Sequence, residues 1–235
     1  MPTVIVLGVG PGLGASLARR FARGGWDVVL MARSDAGLAP VALEVESLGR
    51  RAFSVIVDAG DAVSVAAAFD SAKIALGAPD VLIYNAGAYQ RGSVVETSPE
   101  DFERCLRVNC TGAFFAAKQV LPDMLARGSG TFLFTGATAS LRGSAGYACL
   151  AVGKFGLRAL AQSMARELGP RGIHVAHVVI DGQIDTPTLR ATAPDRAAET
   201  VLSPDAIAEA YWQLQIQDPT CWTLELDVRP RTERF

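Results

Sequence analysis

Thr3-Val4-Ile5-Val6-Leu7-Gly8-Val9-Gly10-Pro11-Gly12-Leu13-Gly14 is the stretch on which the fold turns. Five β-favouring residues run straight into four glycines, and a segment of helical period, 13–23, follows without a linker. Glycine lets the chain turn tightly and lets backbone approach a bound group, while free N–H groups at a helix start face negative charge. Gly8, Gly12, Leu13 and Gly14 are therefore expected to cradle a diphosphate. A glycine turn that only redirects the chain is the plainer alternative.

Working outward, the same alternation continues. Apolar runs at 3–7, 28–31, 53–57, 81–84, 131–135, 174–180 and 222–227 read as strands covered on both faces. Helical segments fall at 13–23, 37–48, 62–75, 99–126, 146–168 and 204–217, with Ser98-Pro99 and Ser203-Pro204 as start signals. The pattern predicts an α/β, doubly wound Rossmann fold: a seven-stranded, mainly parallel sheet with helices on both faces and a crevice at the carboxyl ends of its strands. No linker divides the chain, so 1–235 is read as a single domain.

The residue ending the second strand selects the dinucleotide. An acidic side chain there would bond a ribose 2′-hydroxyl, but Ala32-Arg33-Ser34 stands here instead. A guanidinium fork and a hydroxyl suit a 2′-phosphate, which favours NADP(H) over NAD(H). A solvated surface arginine remains the bland reading of Arg33.

Composition narrows the function classes. With 235 residues, half hydrophobic and a fifth charged, the chain is long enough for a full core. Its 22 Lys and Arg against 24 Asp and Glu give a net charge of −2, so no global field favours nucleic acid or an anionic membrane. Cys105, Cys110, Cys149 and Cys221 form neither a Cys-x-x-Cys pair nor a zinc pattern, there is no other metal constellation, and a reducing compartment is expected. The N-terminus lacks a signal-peptide pattern and no apolar run is long enough to span a bilayer. A cytoplasmic location is the expectation.

At this point the chain resembles the short-chain dehydrogenase/reductase family over essentially its whole length. The likeness rests on Gly8-x-x-x-Gly12-x-Gly14, Asp58, Asn85-Ala86-Gly87, Asn109, Lys154 and Asp181-Gly182-Gln183-Ile184-Asp185-Thr186. It implies that Asp58, with Ala59 beside it, meets the adenine and that Asn85-Ala86-Gly87 lines the adenosine side. It also implies that Ile184 and Thr186, after the turn at Gly182, touch the nicotinamide amide and pyrophosphate, and that Lys154 holds the nicotinamide ribose. The usual Thr before the first glycine is Leu7, and the usual Pro before Gly182 is Asp181.

The catalytic half of the pattern is incomplete. The resemblance implies an Asn, Ser, Tyr and Lys set in which Tyr, four residues before Lys, protonates the incipient alkoxide. Four residues before Lys154 stands Leu150, and the Ser position aligns with Ala137. Asn109 and Lys154 remain as catalytic candidates. Tyr147, three residues before Leu150, is a candidate donor if the helix has already begun there, against a packing tyrosine as the alternative. Thr138 is a second candidate, against hydrogen bonding at a strand end. Tyr89 is placed near the cleft, for substrate contact or loop packing. Cys149 reads as a small apolar filler, and His174 and His177, oddly spaced on one strand, as core or surface histidines.

These residues lead to an expected NADP(H)-dependent oxidoreductase acting on a small, partly hydrophobic carbonyl or alcohol, with an atypical proton donor. Two alternatives accompany it: a catalytically inactive dinucleotide-binding sensor or partner protein, and a non-redox lyase or isomerase in the same pocket. Residues 185–202 read as a flap over the cleft, and 229–235 as a solvated tail or a pocket closure. Apolar helical segments at 99–126 and 146–168 suggest a homodimer or homotetramer, as the resemblance also implies.

Overall fold

The computed structural model describes residues 1–233; Arg234 and Phe235, the end of the tail considered above, lie outside the described residues. Thr3–Leu7 (β1), Asp27–Ala32 (β2), Ala52–Ile56 (β3), Val81–Tyr84 (β4), Gly130–Thr135 (β5), Ile173–Ile180 (β6) and Glu225–Val228 form one seven-stranded sheet. Its order is β3-β2-β1-β4-β5-β6 and then Glu225–Val228, and every pairing is parallel. The order reverses between β1 and β4, where a doubly wound sheet opens its crevice. A separate two-stranded parallel sheet joins Gln183–Ile184 (β7) to Val201–Leu202 (β8), so Glu225–Val228 is β9.

The two faces follow from the side-chain period of two. Val4, Val6, Val28, Leu30, Ile83 and Val178 pack beneath Leu13–Arg23 (α1), Leu38–Ser47 (α2) and the helix Pro204–Gln215. Ile5, Leu7, Val29, Leu82, Phe132 and Phe134 pack against Ala62–Leu76 (α3) and the helices Gly112–Arg127 and Ala148–Leu168. Sheet and helices thus enclose two apolar layers.

The structure corrects three boundaries. The segment expected as one helix over 99–126 is Pro99–Leu106 (α4), a wider π turn over Arg107–Thr111, and Gly112–Arg127 (α5). The turn forms where the Tyr84 hydroxyl donates to the Val108 carbonyl at 2.5 Å, competing for an oxygen that a regular helix would use internally. The helix expected from 146 begins at Ala148 (α6, Ala148–Leu168), which leaves Tyr147 as its N-cap rather than in its first turn. The last strand starts at Glu225 rather than 222, because Thr223 and its neighbours are engaged otherwise: the Thr223 N–H donates to Gln217 and its carbonyl meets His174.

The expected flap has its own structure. Pro187–Thr192 (α7) is capped by Thr186, which accepts from the Leu189 N–H, and β8 then leads into Pro204–Gln215 (α8). Arg190 grips Asp185 with both ends of its fork at 2.6 and 2.8 Å. The tail does not simply trail into solvent: Pro230 is buried, and Thr232 Oγ1 donates to the Glu199 carbonyl.

Candidate active site

The loop between β1 and α1 is shaped by contacts only glycine permits. Gly8 has φ +108°, and a Cβ there would lie 2.4 Å from the Ala86 nitrogen. At Gly14 a Cβ would lie 2.5 Å from the Gly8 carbonyl oxygen, and at Gly12 it would meet the Thr186 methyl at 2.6 Å. The loop is thereby pressed against the end of β4 and the start of α7. Gly8 and Val9 both donate to Met31 O, while the N–H groups of Gly12, Leu13 and Gly14 have no protein acceptor among the described residues. The first turn of α1 contains no acidic side chain and no side-chain cap. Leu13 buries its side chain, so only its backbone faces the crevice.

A cleft continues from this loop along Ala32, Arg33, Asp58, Ala59, Asn85, Ala86 and Gly87, closed by Val57 and Val108. Arg33 is exposed and makes no ion pair among the described residues, and Ser34 beside it caps nothing with its side chain. Asp58 Oδ1 accepts from the Gly60 N–H at 2.8 Å. Val57 and Val108 were not singled out from sequence; as apolar residues just after β3 and within the π turn they carry no signal distinct from core.

On the far side of Asn85 a hydrogen-bond chain runs toward Lys154. Asn85 Nδ2 donates to Gly8 O at 2.8 Å, Thr135 Oγ1 donates to Asn85 Oδ1 at 3.0 Å, and the Tyr211 hydroxyl lies 2.8 Å from Thr135 Oγ1. The Lys154 ammonium donates to the Thr135 carbonyl at 2.7 Å. Burial pulls the Lys154 pKa down to about 8, which leaves it charged at neutral pH. Sequence reasoning missed Thr135; the signal was a hydroxyl closing the apolar run Phe132-Leu133-Phe134. Asn109, turned inward by the π turn, is fully buried: Oδ1 accepts from Ala88 N at 3.2 Å and Nδ2 donates to Ala88 O at 2.7 Å.

Of the core and surface readings of the two histidines, the structure has the core one: His174 and His177 are both buried, three residues apart on β6 and so on opposite faces. His174 stacks on Trp222 with ring centroids 4.9 Å apart. His177 lies against Gly136, where a Cβ would sit 2.3 Å from its Nε2, and its Nδ1 meets Glu225 at 3.2 Å. Burial pulls its pKa down to about 4 despite that carboxylate, which Arg158 grips at 2.6 and 2.7 Å. Cys149 packs with Cys105 and Ala88 in a small apolar cluster.

The replacement donors are placed unequally. Leu150 is half-buried on α6, one turn before Lys154, and presents no proton. The Ala137 N–H donates to Ser140 Oγ at 3.1 Å, a buried hydroxyl that sequence alone did not flag. Thr138 donates to Asp181 Oδ1 at 2.5 Å, and Asp181 in turn pairs with Arg229. Tyr147 lies with Tyr89, ring centroids 5.9 Å apart, and beneath Arg91, whose guanidinium carbon is 5.6 Å from its ring. Ile184 lies in β7 and Thr186 against the glycine loop, whereas Gly182, at φ +143°, packs toward Leu202 and Pro230.

Comparison with known proteins agrees with this architecture. The family model for short chain dehydrogenase matches residues 2–197. Oxidoreductase UcpA of Escherichia coli strain K12 is 32% identical over 221 residues, 92% of this chain and 82% of its own length. The crystal structure of a short-chain dehydrogenase from Rhodopseudomonas palustris is 40% identical at a TM-score of 0.84, covering 97% of this chain and 98% of that one. An alcohol dehydrogenase from the archaeon Thermococcus sibiricus, complexed with 5-hydroxy-NADP, is 28% identical at a TM-score of 0.90 over 100% and 98% of the two chains.

Proposed function

Because this chain belongs to the short-chain dehydrogenase family, we propose that it is an NADP(H)-dependent oxidoreductase acting on a small, partly hydrophobic carbonyl or alcohol. The observation that carries the reading is the glycine cradle, whose three N–H groups have no acceptor among the described residues, continued by a cleft that ends on Arg33, which has no ion-pair partner among them. The residues fit such a cofactor, since side chains at Gly8 or Gly14 would fill the cradle. The NADP-type complex of the T. sibiricus relative supports the same choice of dinucleotide.

When bound, the nicotinamide would supply or accept the hydride. Gly12, Leu13 and Gly14 would hold the pyrophosphate, Arg33 and Ser34 a 2′-phosphate, and Asp58 and Ala59 the adenine. Ile184 and Thr186 would close on the far end beyond the turn at Gly182, and Lys154 would exchange the Thr135 carbonyl for the ribose. Asn109 braces Ala88 and so orients the loop that carries Tyr89. With Leu150 unable to give a proton, water or a displaced hydroxyl must protonate the alkoxide. Thr138 already spends its hydrogen on Asp181, so it serves the site as an acceptor or relay, and Tyr147 overhangs from one turn away.

A second reading, a dinucleotide-binding protein without redox chemistry, is favoured by Leu150 and Ala137. Exposed Phe114, Val152 and Phe155 on α5 and α6 support association into a dimer or tetramer. Steady-state oxidation of NADPH over a panel of carbonyls separates the two readings. Turnover that disappears in Lys154→Ala supports the oxidoreductase, whereas tight nucleotide binding with no turnover on any carbonyl supports the second.

A further inference from the structure

Two loops meet beyond the cleft residue Gly87, one leaving β4 and one leaving β5. The Gly92 N–H donates to the Gly146 carbonyl at 3.1 Å, and a Cβ on Gly146 would lie 3.8 Å from the Arg91 side chain. This junction sets the Arg91 guanidinium over the Tyr147 ring, with Tyr89 alongside. The contact orients the fork without neutralising it. No carboxylate pairs with Arg91 among the described residues: in the following stretch Glu96 is taken by Ser93, and Asp101 by Ser98 and Arg104. Tyr89 adds no negative charge, because desolvation and its hydrogen bond with Tyr147 hold the phenol above its usual range. The start of α6, with no acidic side chain in its first turn, adds potential of the same sign.

A cation with no carboxylate partner among the described residues, four residues beyond Gly87 of the cleft, oriented by one aromatic ring and flanked by another, suits a planar anion. Leu150, beside which the reacting carbon would sit, is three residues from Tyr147, about 4.5 Å along the helix axis. We propose that Arg91 and the two tyrosine rings select an anionic substrate, an oxo or hydroxy acid whose carboxylate stands about one ring length from the reacting carbon. The inference rests on the oxidoreductase reading above and gives that site its substrate class.

Binding of matched probes to the NADP⁺-loaded protein tests it without needing turnover. In calorimetry, 4-formylbenzoate should bind at least about tenfold more tightly than 4-formylbenzamide, which has the same shape and no charge. Arg91→Ala should abolish that preference while binding NADP⁺ as the parent does. Arg91→Lys should restore only part of it, since an ammonium lacks the bidentate fork. Equal binding of the two probes, a preference that survives Arg91→Ala, or no binding of either probe to the loaded protein would overturn the proposal. Failure of NADP⁺ itself to bind would instead overturn the oxidoreductase reading on which it rests.

Discussion

The side-chain amide of Asn85 donates to the backbone carbonyl of Gly8 at 2.8 Å, joining the turn after β1 to the end of β4 across 77 residues of sequence. Its other end accepts from Thr135, whose own carbonyl receives the Lys154 ammonium. One connected set of hydrogen bonds therefore links the phosphate cradle, the strand ends at the switch point and the charged group of α6. A change at the glycine loop should be felt at Lys154.

Gly8→Ala tests the tightness of that junction. The new Cβ would stand 2.4 Å from the Ala86 nitrogen at a φ of +108°, so both backbone strain and overlap oppose it. The cost should be on the order of 3 kcal/mol, read as a lower urea midpoint, with nucleotide binding lost. Gly10→Ala, where a Cβ meets nothing within 4 Å, should change stability little.

Arg33→Ala tests the dinucleotide preference. A guanidinium hydrogen-bonded to a 2′-phosphate should contribute about 10- to 100-fold in affinity. NADPH binding should weaken by that factor, with NADH binding nearly unchanged. A parallel loss for both dinucleotides would mean that Arg33 touches the shared adenosine instead.

Acid should destabilise the fold through His177. Its pKa is about 4 when folded and 6.5 as an ordinary histidine, so between these values the unfolded chain takes up the additional proton and stability falls as the pH falls. His174, lowered by its own burial, slopes the same way. Glu225, held below its usual value chiefly by its hydrogen bonds with Arg158, adds a further loss below about pH 4.5. Urea denaturation at pH 7 and pH 5 should show a drop in which His177 accounts for roughly 2 kcal/mol, a share that His177→Leu removes.

The parts legible in the sequence are those written as local periodicity. The glycine loop and the alternation of covered strands and helices follow from short spacings, whereas Asn85, Asn109 and Lys154 stand out in the sequence through the resemblance to the family. The π turn is not legible, because 99–126 keeps its helical pattern throughout. What breaks it is the Tyr84 hydroxyl from another strand and the crowding at Gly112, where a Cβ would lie 2.1 Å from the Ala59 carbonyl oxygen. The Thr138 to Asp181 bond spans 43 residues and leaves no mark on either neighbourhood. The start of β9 is obscured for a related reason: an edge strand is only half covered, so the apolar run that announces it extends past the residues that pair.

Leu150→Tyr combined with Ala137→Ser tests whether the pocket has lost only its proton donor. On α6 the new phenol would lie one turn from Lys154, whose buried ammonium is still charged at neutral pH and so favours the phenolate. The hydroxyl added at 137 would not be needed to cap the turn, since Ser140 already accepts from the Ala137 N–H. Turnover of NADPH with simple carbonyls should rise by about 100-fold or more over the parent, within the usual range for a positioned general acid. Leu150→Tyr alone should recover more than Ala137→Ser alone, because the proton rather than its orientation is the missing element. If NADPH affinity is unchanged and no activity appears, the carbonyl is no longer held beside position 150, and the divergence of the site extends beyond these two side chains.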